Sequence, residues 1–250
     1  KEINRLSKNW LIFHKSNDGF NSPNMKNGKT FDIEYMVDVT SSYYFDFLDT
    51  IGYFPLIRIE DLYNEDIISY YDAITVDIST KEYLIAMLNK ILVSDSIKYL
   101  EPKRIQGNNI ICIATQKITE FHPITFYGDG FVRIVRIILE ILLNKDGRLM
   151  IDEIETGIHF LRQEGFWRIV MEVAIENNVQ IFCTTHSQDC IKSFVAASDE
   201  KKGVKDRLRL IELEAGTKDP SKIYASTYNI DLVKSGLESN INMRGGNLYA

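Results

Sequence analysis

The feature that most constrains the fold is a strand, a helix and a second strand in succession between residues 148 and 185. Residues 148–152 form a short apolar run that is typical of a buried strand, and residues 179–185 form another. Residues 162–178 between them have the length and pattern of a helix. Because this order builds parallel sheets, the sequence predicts an α/β fold in which both strands end at the same edge of the sheet.

Polar side chains follow both predicted strands. Asp152 and Glu153 end the first strand, and His186 follows the second. Ligands of parallel sheets bind beyond the carboxyl ends of the strands. Phosphoryl transfer needs one carboxylate to hold Mg²⁺ and another to orient and deprotonate the attacking water. Each feature alone occurs by chance, since a single histidine is more often a surface or core residue, but their predicted proximity favours a phosphate site.

A third segment, Tyr127-Gly-Asp-Gly-Phe-Val-Arg133, opens a predicted helix at residues 130–144. Glycines let a backbone approach an anion closely, Asp129 is suited to cap the helix, and free N–H groups at a helix start attract negative charge. Taken alone, the segment is equally typical of an ordinary turn followed by a helix cap.

These three segments, in this order and at these spacings, resemble the C-terminal lobe of ABC-type ATPases. The likeness is greatest to bacterial AAA ATPases related to the OLD (overcoming lysogenisation defect) and SMC families, and it is specific from about residue 125 to residue 190. The resemblance implies an ABC-ATPase-type nucleotide-binding domain with a mainly parallel sheet. It also implies that ATP and Mg²⁺ bind there.

The resemblance implies a role for each matching residue. Asp152 corresponds to the Walker B aspartate that holds the metal, Glu153 to the catalytic base and His186 to the switch histidine. Residues 155–159 correspond to the D-loop and residues 128–133 to the signature. The nucleotide contacts implied in these two segments are Gly128, Asp129, Gly130, Arg133, Thr156 and Gly157.

The signature of such ATPases caps ATP that is bound to a second subunit. The resemblance therefore implies a homodimer that holds ATP between two heads. On this basis we expect a bulky residue at Gly130 to block the shared face while the fold of its own chain stays intact.

The sequence departs from the family pattern in two places. Gly128 stands where the signature usually has a serine, so a hydroxyl contact to the γ-phosphate is missing. No Walker A motif is present: the nearest match is residues 27–30 (Asn-Gly-Lys-Thr), but Pro23 replaces the first glycine of GxxxxGK[ST]. The run after Thr30 alternates like a strand. We interpret residues 27–30 as a hairpin turn and expect the P-loop upstream of residue 1.

Three parts are predicted along the chain. Residues 1–60 carry alternating and aromatic runs typical of a β-hairpin or meander, which would form an N-terminal arm of the ATPase head. Residues 61–104 are predicted to be a helical insert, with helical spacing over residues 81–92. Residues 105–250 are predicted to be the C-terminal catalytic lobe, with a further strand at residues 208–214.

Composition limits the partners and the compartment. With 29 basic and 35 acidic residues the net charge is −6, so nucleic-acid binding would need a local patch and stays open. No uncharged apolar run approaches the ~18 residues of a membrane span. The three cysteines, Cys112, Cys183 and Cys190, are odd in number and lie in apolar runs, which favours a reducing, cytoplasmic location.

These observations predict an ATP-binding and hydrolysing subunit that acts as a dimerising nucleotide switch. The resemblance further implies control of a separate effector, such as a nuclease, in anti-phage defence. The alternatives are an SMC-like DNA-repair ATPase and a non-hydrolysing interaction module with the same fold. A fourth, a Mg²⁺-dependent nuclease, would use Asp152, Glu153 and Glu155 together.

Overall fold

The computed structural model describes residues 30–31, 56–57, 66–92, 95–199, 203–216, 222–241 and 243. The chain divides into two compact units, residues 54–204 and residues 1–53 with 205–250. The strands within the described residues are β1 (Thr30–Phe31), β2 (Leu56–Ile57), β3 (Ile97–Ile105), β4 (Asn108–Thr115), β5 (His122–Pro123), β6 (Arg148–Ile151), β7 (Gln180–Cys183), β8 (Leu210–Ala215) and β9 (Ile223–Tyr228). The α-helices there are α1 (Asp66–Ile74), α2 (Ile78–Asn89), α3 (Asp129–Leu143), α4 (Phe160–Glu176), α5 (Gln188–Ser198) and α6 (Ile230–Glu238).

A parallel sheet with the strand order β2-β6-β7 lies in the unit of residues 54–204. Leu149 and Ile151 of β6 are buried, as expected for a central strand covered on both faces. Ile151 lies opposite Cys183 of β7, so the two strands end side by side. The prediction of an α/β fold with a parallel sheet is confirmed.

Helix α3 is the most buried helix of this unit. It packs against α1 and α4, and its residues from Phe131 to Ile141 are all buried. A helix that is apolar nearly all round belongs inside a core. Two of its buried residues are charged partners one turn apart, since Arg136 lies 3.6 Å from Glu140. The predicted helix at residues 130–144 agrees with α3 to within one residue at each end.

The helices on either side of β7 begin at side-chain caps. His159 precedes α4, and its Nδ1 accepts a hydrogen bond from the backbone N–H of Leu161 at 3.3 Å. Ser187 precedes α5 and accepts from the N–H of Cys190 at 3.2 Å. These caps satisfy N–H groups that lack partners within the helix. Helix α4 begins two residues before the predicted start at 162 and ends at Glu176, while the prediction continued to 178.

A second sheet, antiparallel in the order β3-β4-β5, corrects the prediction for residues 97–104. The predicted helix at 81–92 lies within α2, but residues 97–105 form strand β3 and do not belong to a helical insert. Residues 109–115 form the predicted strand, which pairs with β3 and β5 outside the parallel sheet. Gln106 (φ 49°) and Gly107 (φ 89°) make the two-residue turn between β3 and β4. Positive φ at both positions is what a tight hairpin requires.

The second unit contains an antiparallel sheet in the order β1-β9-β8 and the helix α6. Strand β8 confirms the strand predicted at 208–214, shifted by two residues or fewer. Asn229 caps α6 by accepting from the N–H of Leu232 at 2.9 Å. Apart from β1 and β2, the hairpin predicted within residues 1–60 lies outside the described residues.

The three-part division at residues 60 and 104 stays a prediction. Among the helices that the structure describes, none is long and apolar enough to cross a membrane. The cytoplasmic location also stays a prediction.

Candidate functional site

The candidate site lies where β6 and β7 leave the parallel sheet. Asp152 and Glu153 follow β6, and Thr184, Thr185 and His186 follow β7. The ladder continues briefly past the strands, because Thr184 N–H donates to the Ile151 carbonyl at 3.0 Å. The structure therefore brings the acidic pair and the histidine segment to one edge, as the sequence predicts. His186 is exposed there.

The hydroxyl of Thr184 links the two strand ends. It donates to Asp152 Oδ1 at 2.6 Å and accepts from the backbone N–H of Glu153 at 2.9 Å. The carbonyl of Thr184 accepts from the N–H of Ile154 at 3.1 Å. A carboxylate oxygen is a strong acceptor, so the first of these bonds fixes the Asp152 side chain. Sequence reasoning missed Thr184, although a hydroxyl residue at the end of a strand beside an Asp-Glu pair could have indicated it.

Glu153 has an unusual backbone conformation, with φ at 43°. A residue other than glycine pays roughly 1–2 kcal/mol to adopt this left-handed region. The conformation turns the chain out of β6, and the Glu153 carbonyl then accepts from Arg133 Nη2 at 2.9 Å. The Glu153 carboxylate accepts from Thr156 Oγ1 through Oε2 at 3.2 Å. Backbone and side chain of Glu153 are therefore both held by neighbours.

Arg133 lies beneath this turn and not on its surface. Its side chain is 0% exposed and donates from Nη2 to the carbonyl of Asp152 at 2.6 Å as well as to Glu153. Burial lowers the pKa of the Arg133 guanidinium, and the nearby carboxylates of Glu155 and Asp152 oppose that shift. The Arg133 side chain is thus turned into the fold, away from a ligand at the surface, and its assignment to nucleotide contact stays a prediction that this burial disfavours.

Glu155 lies in the turn after Glu153. Its Oε1 accepts from Thr185 Oγ1 at 2.7 Å, while Oε2 is buried without a hydrogen-bond partner among the described residues. His159 uses its Nδ1 to cap α4. The nuclease alternative, which includes Glu155, gains no support from these contacts.

The segment that precedes α3 packs against the residue-157 turn of its own chain. A Cβ atom at Gly130 would overlap the Gly157 carbonyl oxygen and lie 3.0 Å from the carbonyl carbon. Gly157 has φ at 78°, a conformation that favours glycine. The expectation that a bulky residue at Gly130 leaves its own chain intact is therefore wrong, because any side chain there collides with this turn.

Gly128 and Asp129 remain on the surface. Gly128 is the N-cap of α3, with φ at 88°, and makes no side-chain cap bond. Asp129 is the first residue of the helix, so the prediction that it caps the helix is wrong. In the first turn its carboxylate still interacts favourably with the helix dipole. Thr156 is half-buried and Gly157 is exposed, and nucleotide contacts from Gly128, Asp129, Gly130, Thr156 and Gly157 stay predictions.

The residues at the strand ends suit Mg²⁺ in its usual mode of binding with nucleotides. Magnesium prefers oxygen ligands and is commonly held by one or two carboxylates together with substrate phosphates. Asp152 and Glu153 are both half-buried and present such oxygens. No group of three or more His, Cys, Asp or Glu residues that could hold a metal exists in the part of the chain that the structure describes. The donor set therefore fits a metal that shares its ligands with a nucleotide.

Of the near-match to a Walker A motif at residues 27–30, the structure describes only the last residue, Thr30. Thr30 lies in β1, where it pairs antiparallel with Tyr224 of β9. A P-loop threonine would begin a helix. The interpretation that residues 27–30 are not a P-loop is consistent with this strand, while residues 27–29 lie outside the described residues.

Sequence comparison identifies the class of protein. The family described as "AAA domain, putative AbiEii toxin, Type IV TA system" matches residues 54–189, more than half of the chain. The chain belongs to this family, and every site residue discussed above falls within the matched range.

Two relatives match parts of the chain. A protein of Helicobacter pylori (strain ATCC 700392 / 26695) named ATP/GTP phosphatase is 26% identical over 141 residues, which are 55% of this chain and 37% of that protein. An uncharacterized protein of Methanocaldococcus jannaschii is 35% identical over 81 residues, 32% of this chain and 70% of that protein. The chain therefore spans little more than a third of the Helicobacter relative.

Solved structures of SMC proteins give weaker likenesses. A structure from work on ATP-driven dimerization and DNA-stimulated activation of SMC ATPases aligns with a TM-score of 0.41 at 10% identity, over 65% of this chain and 94% of that one. The Smc head domain of Pyrococcus furiosus bound to the C-terminal domain of ScpA aligns with a TM-score of 0.39 at 11% identity, over 65% and 39%. Likenesses of this size carry no argument about function.

Proposed function

We propose that the complete protein is an ATPase that binds ATP with Mg²⁺ and hydrolyses it to ADP and phosphate. The observation that carries this proposal is the hydroxyl of Thr184, which joins the acidic pair after β6 to the histidine segment after β7. Membership of the AAA-domain family over residues 54–189 and the phosphatase name of the Helicobacter relative support a nucleoside triphosphate as the substrate.

Asp152 would hold the metal, and a bound Mg²⁺ would neutralise charge on the transferred phosphate. The Thr184 hydroxyl fixes Oδ1 of this carboxylate, so its orientation is set before any ligand arrives. A fixed carboxylate loses little freedom on binding, which makes the site preorganised.

Glu153 would act as the general base. Thr156 donates to Oε2 of Glu153, and in the part of the chain that the structure describes no donor contacts Oε1. Oε1 can accept the proton that the attacking water loses as its oxygen bonds to the γ-phosphorus, while the bond from that phosphorus to the β–γ bridging oxygen breaks and ADP leaves. His186, exposed at the end of the neighbouring strand, would contact the γ-phosphate.

The start of α3 supports a switch between two copies. Gly128 and Asp129 are exposed at the start of α3, where the positive end of the helix dipole attracts an anion. We propose that these residues cap ATP held by a second copy, so that ATP closes a homodimer. On this proposal the closed dimer controls a separate effector, such as a nuclease, in anti-phage defence.

Hydrolysis is tested by Glu153→Gln in the complete protein. Turnover should fall by roughly 10²-fold or more, the scale of a lost general base, while ATP binding persists. Glu164→Gln is the matched control and should keep wild-type turnover, because Glu164 pairs with Arg168 at the exposed surface of α4, away from the site. Wild-type hydrolysis by Glu153→Gln contradicts the role of Glu153. A wild-type protein that binds ATP without turnover would instead be the non-hydrolysing module.

The switch is tested by sedimentation of the Glu153→Gln protein in ATP and Mg²⁺. The mass should double on addition of ATP, and adding Asp129→Arg should abolish that doubling. Asp129 is exposed, and reversing a charge in a first helical turn costs about 0.6–2 kcal/mol, so the fold should persist. If the mass stays that of a monomer with ATP, the dimer proposal is wrong while the ATPase proposal stands.

A further inference from the structure

Arg133 is a buried charge that no sequence motif explains structurally. It lies one turn after the start of α3, and its side chain is 0% exposed. Taking a guanidinium out of water is costly unless carbonyls or carboxylates replace the lost hydration. The position of those replacement groups indicates what the residue does.

Both hydrogen bonds of Arg133 go to the turn that carries the acidic pair. Nη2 alone donates to two successive carbonyls, those of Asp152 and Glu153, at 2.6 and 2.9 Å. The other guanidinium nitrogens, Nε and Nη1, are buried without a hydrogen-bond partner among the described residues. The side chain therefore binds the two peptide groups that flank the Glu153 Cα atom.

This contact acts on the one residue of the acidic pair with a strained backbone. Glu153 has φ at 43°, and such conformations persist only where neighbouring groups fix them. Its N–H is held by Thr184 Oγ1 at 2.9 Å and its carbonyl by Arg133. Two partners on opposite sides of the residue thus determine where its side chain leaves the backbone.

The charges around Arg133 also link it to the turn that carries the acidic pair. Burial and the neighbouring Arg136 disfavour the charged guanidinium, whereas the carboxylates of Glu155, Asp152 and Glu153 favour it. Three carboxylates within four residues repel one another. A buried positive charge behind them offsets part of this repulsion.

Resting on the ATPase function proposed above, we propose that Arg133 is a positioning residue that holds the Glu153 backbone so that its carboxylate meets the attacking water. It acts through Glu153 and touches no nucleotide. We expect lysine to replace it poorly, because its side chain is shorter and more flexible, and its strongly hydrated ammonium does not hold a donor at the position of Nη2.

The first test compares Arg133→Lys with Arg136→Lys in the complete protein. Arg136 is the control, since it is a buried arginine one turn further along α3 that pairs with Glu140. We expect kcat of Arg133→Lys to fall by about 10- to 100-fold with KM for ATP changed less than about threefold, because small misplacements of catalytic groups slow chemistry more than binding. Arg136→Lys should alter thermal unfolding and leave kcat within about twofold. Equal kcat in both variants overturns the proposal.

A double-mutant cycle separates positioning from a general loss of structure. If Arg133 acts through Glu153, adding Arg133→Lys to Glu153→Gln should reduce kcat by less than about twofold further, because the group it positions is already gone. Independent, multiplied losses would show a structural role and overturn the proposal. Should Arg133→Lys fail to fold, Arg133→Met, which keeps much of the volume, takes its place. Failure of both to fold assigns Arg133 to stability alone and also overturns it.

The failure of this proposal differs from failure of the proposed function. If Glu153→Gln hydrolyses ATP like the wild type, Glu153 is not the base and the ATPase assignment of the site falls. If Glu153→Gln is inactive while Arg133→Lys keeps wild-type kcat, only the positioning role of Arg133 is refuted.

Discussion

Replacing Thr184 with valine isolates the link between the two strand ends. Valine has nearly the shape of threonine but lacks the hydroxyl, so the substitution removes two contacts with little change in volume. These contacts are the bond to Asp152 Oδ1 at 2.6 Å and the bond from Glu153 N–H at 2.9 Å. Thr184→Ser is the matched control, because serine keeps the hydroxyl.

The size of the effect follows from these two bonds. A hydrogen bond to a charged group contributes about 1.5–3 kcal/mol, and a buried N–H left without a partner costs about 1–3 kcal/mol. Thr184, Asp152 and Glu153 are only half-buried, so water replaces part of each loss. We therefore expect Thr184→Val to lower the free energy of unfolding by about 2–3 kcal/mol. At about 2–4 °C per kcal/mol for a chain of this size, the unfolding midpoint should fall by about 4–12 °C.

Thermal and urea unfolding of the complete protein measure this difference. Thr184→Ser should retain most of the wild-type stability, so the comparison of interest is valine against serine. Turnover should also fall in Thr184→Val, because both the metal-binding carboxylate and the Glu153 backbone lose a support. If valine and serine differ by less than about 0.5 kcal/mol, the ordinary range for surface changes, the hydroxyl does not link the strands as described.

The remaining predictions concern Gly130 and His186. Gly130→Ala should destabilise the protein by about 1–3 kcal/mol in urea unfolding, because its Cβ overlaps the Gly157 carbonyl, which is the usual cost of overpacking. Gly165→Ala in α4 is the control, because its added Cβ meets open space, and it should be neutral or stabilise by up to about 1 kcal/mol. Equal effects of the two changes would contradict the close approach of Gly130 to Gly157. His186→Ala should reduce ATP hydrolysis more than ADP affinity, since His186 is proposed to reach only the terminal phosphate. An equal loss of ADP and ATP affinity in equilibrium titrations would assign it a structural role.

The parallel sheet and its site edge were predictable because local patterns dictate them. A buried apolar run such as Arg148–Ile151 and a helix of known length leave few ways to place the next strand. The positions of Asp152 and His186 follow from the ends of those strands. The boundaries of α3 were also accessible, since Gly128 breaks the helix at one end and Asn144 ends it at the other.

The antiparallel sheet was missed because the pattern of residues 97–104 is ambiguous. Pro102 is typical of the end of a helical segment, yet proline is also tolerated in an edge strand, and β3 lies at the edge of its sheet. The better indicator was Gln106-Gly107, a two-residue turn between alternating runs. Glycine is common at the second position of such turns, so this hairpin could have been recognised.

The roles of Thr184 and Arg133 depend on contacts that no spacing reveals. Arg133 lies 19 and 20 residues from the carbonyls it binds, and its direction is decided by how the start of α3 lies against the turn after β6. A motif alignment places it beside the nucleotide because its neighbours are there. Only the packing shows that its side chain turns inward, toward the residues that the motif assigns to hydrolysis.

Gly130 shows how the same kind of packing alters a functional argument. A glycine in a signature-like segment suggests close approach of a ligand, but here the close approach is made by Gly157 of the same chain. Packing within one chain therefore explains why residue 130 is a glycine. The glycine does not by itself indicate contact with a second subunit. The dimer proposal consequently depends on Gly128 and Asp129, which are exposed at the start of α3. A variant at Gly130 could fail to associate simply because it fails to fold. Asp129→Arg changes an exposed side chain instead. If that variant no longer doubles in mass with ATP, the loss therefore reports on the face shared by the two copies.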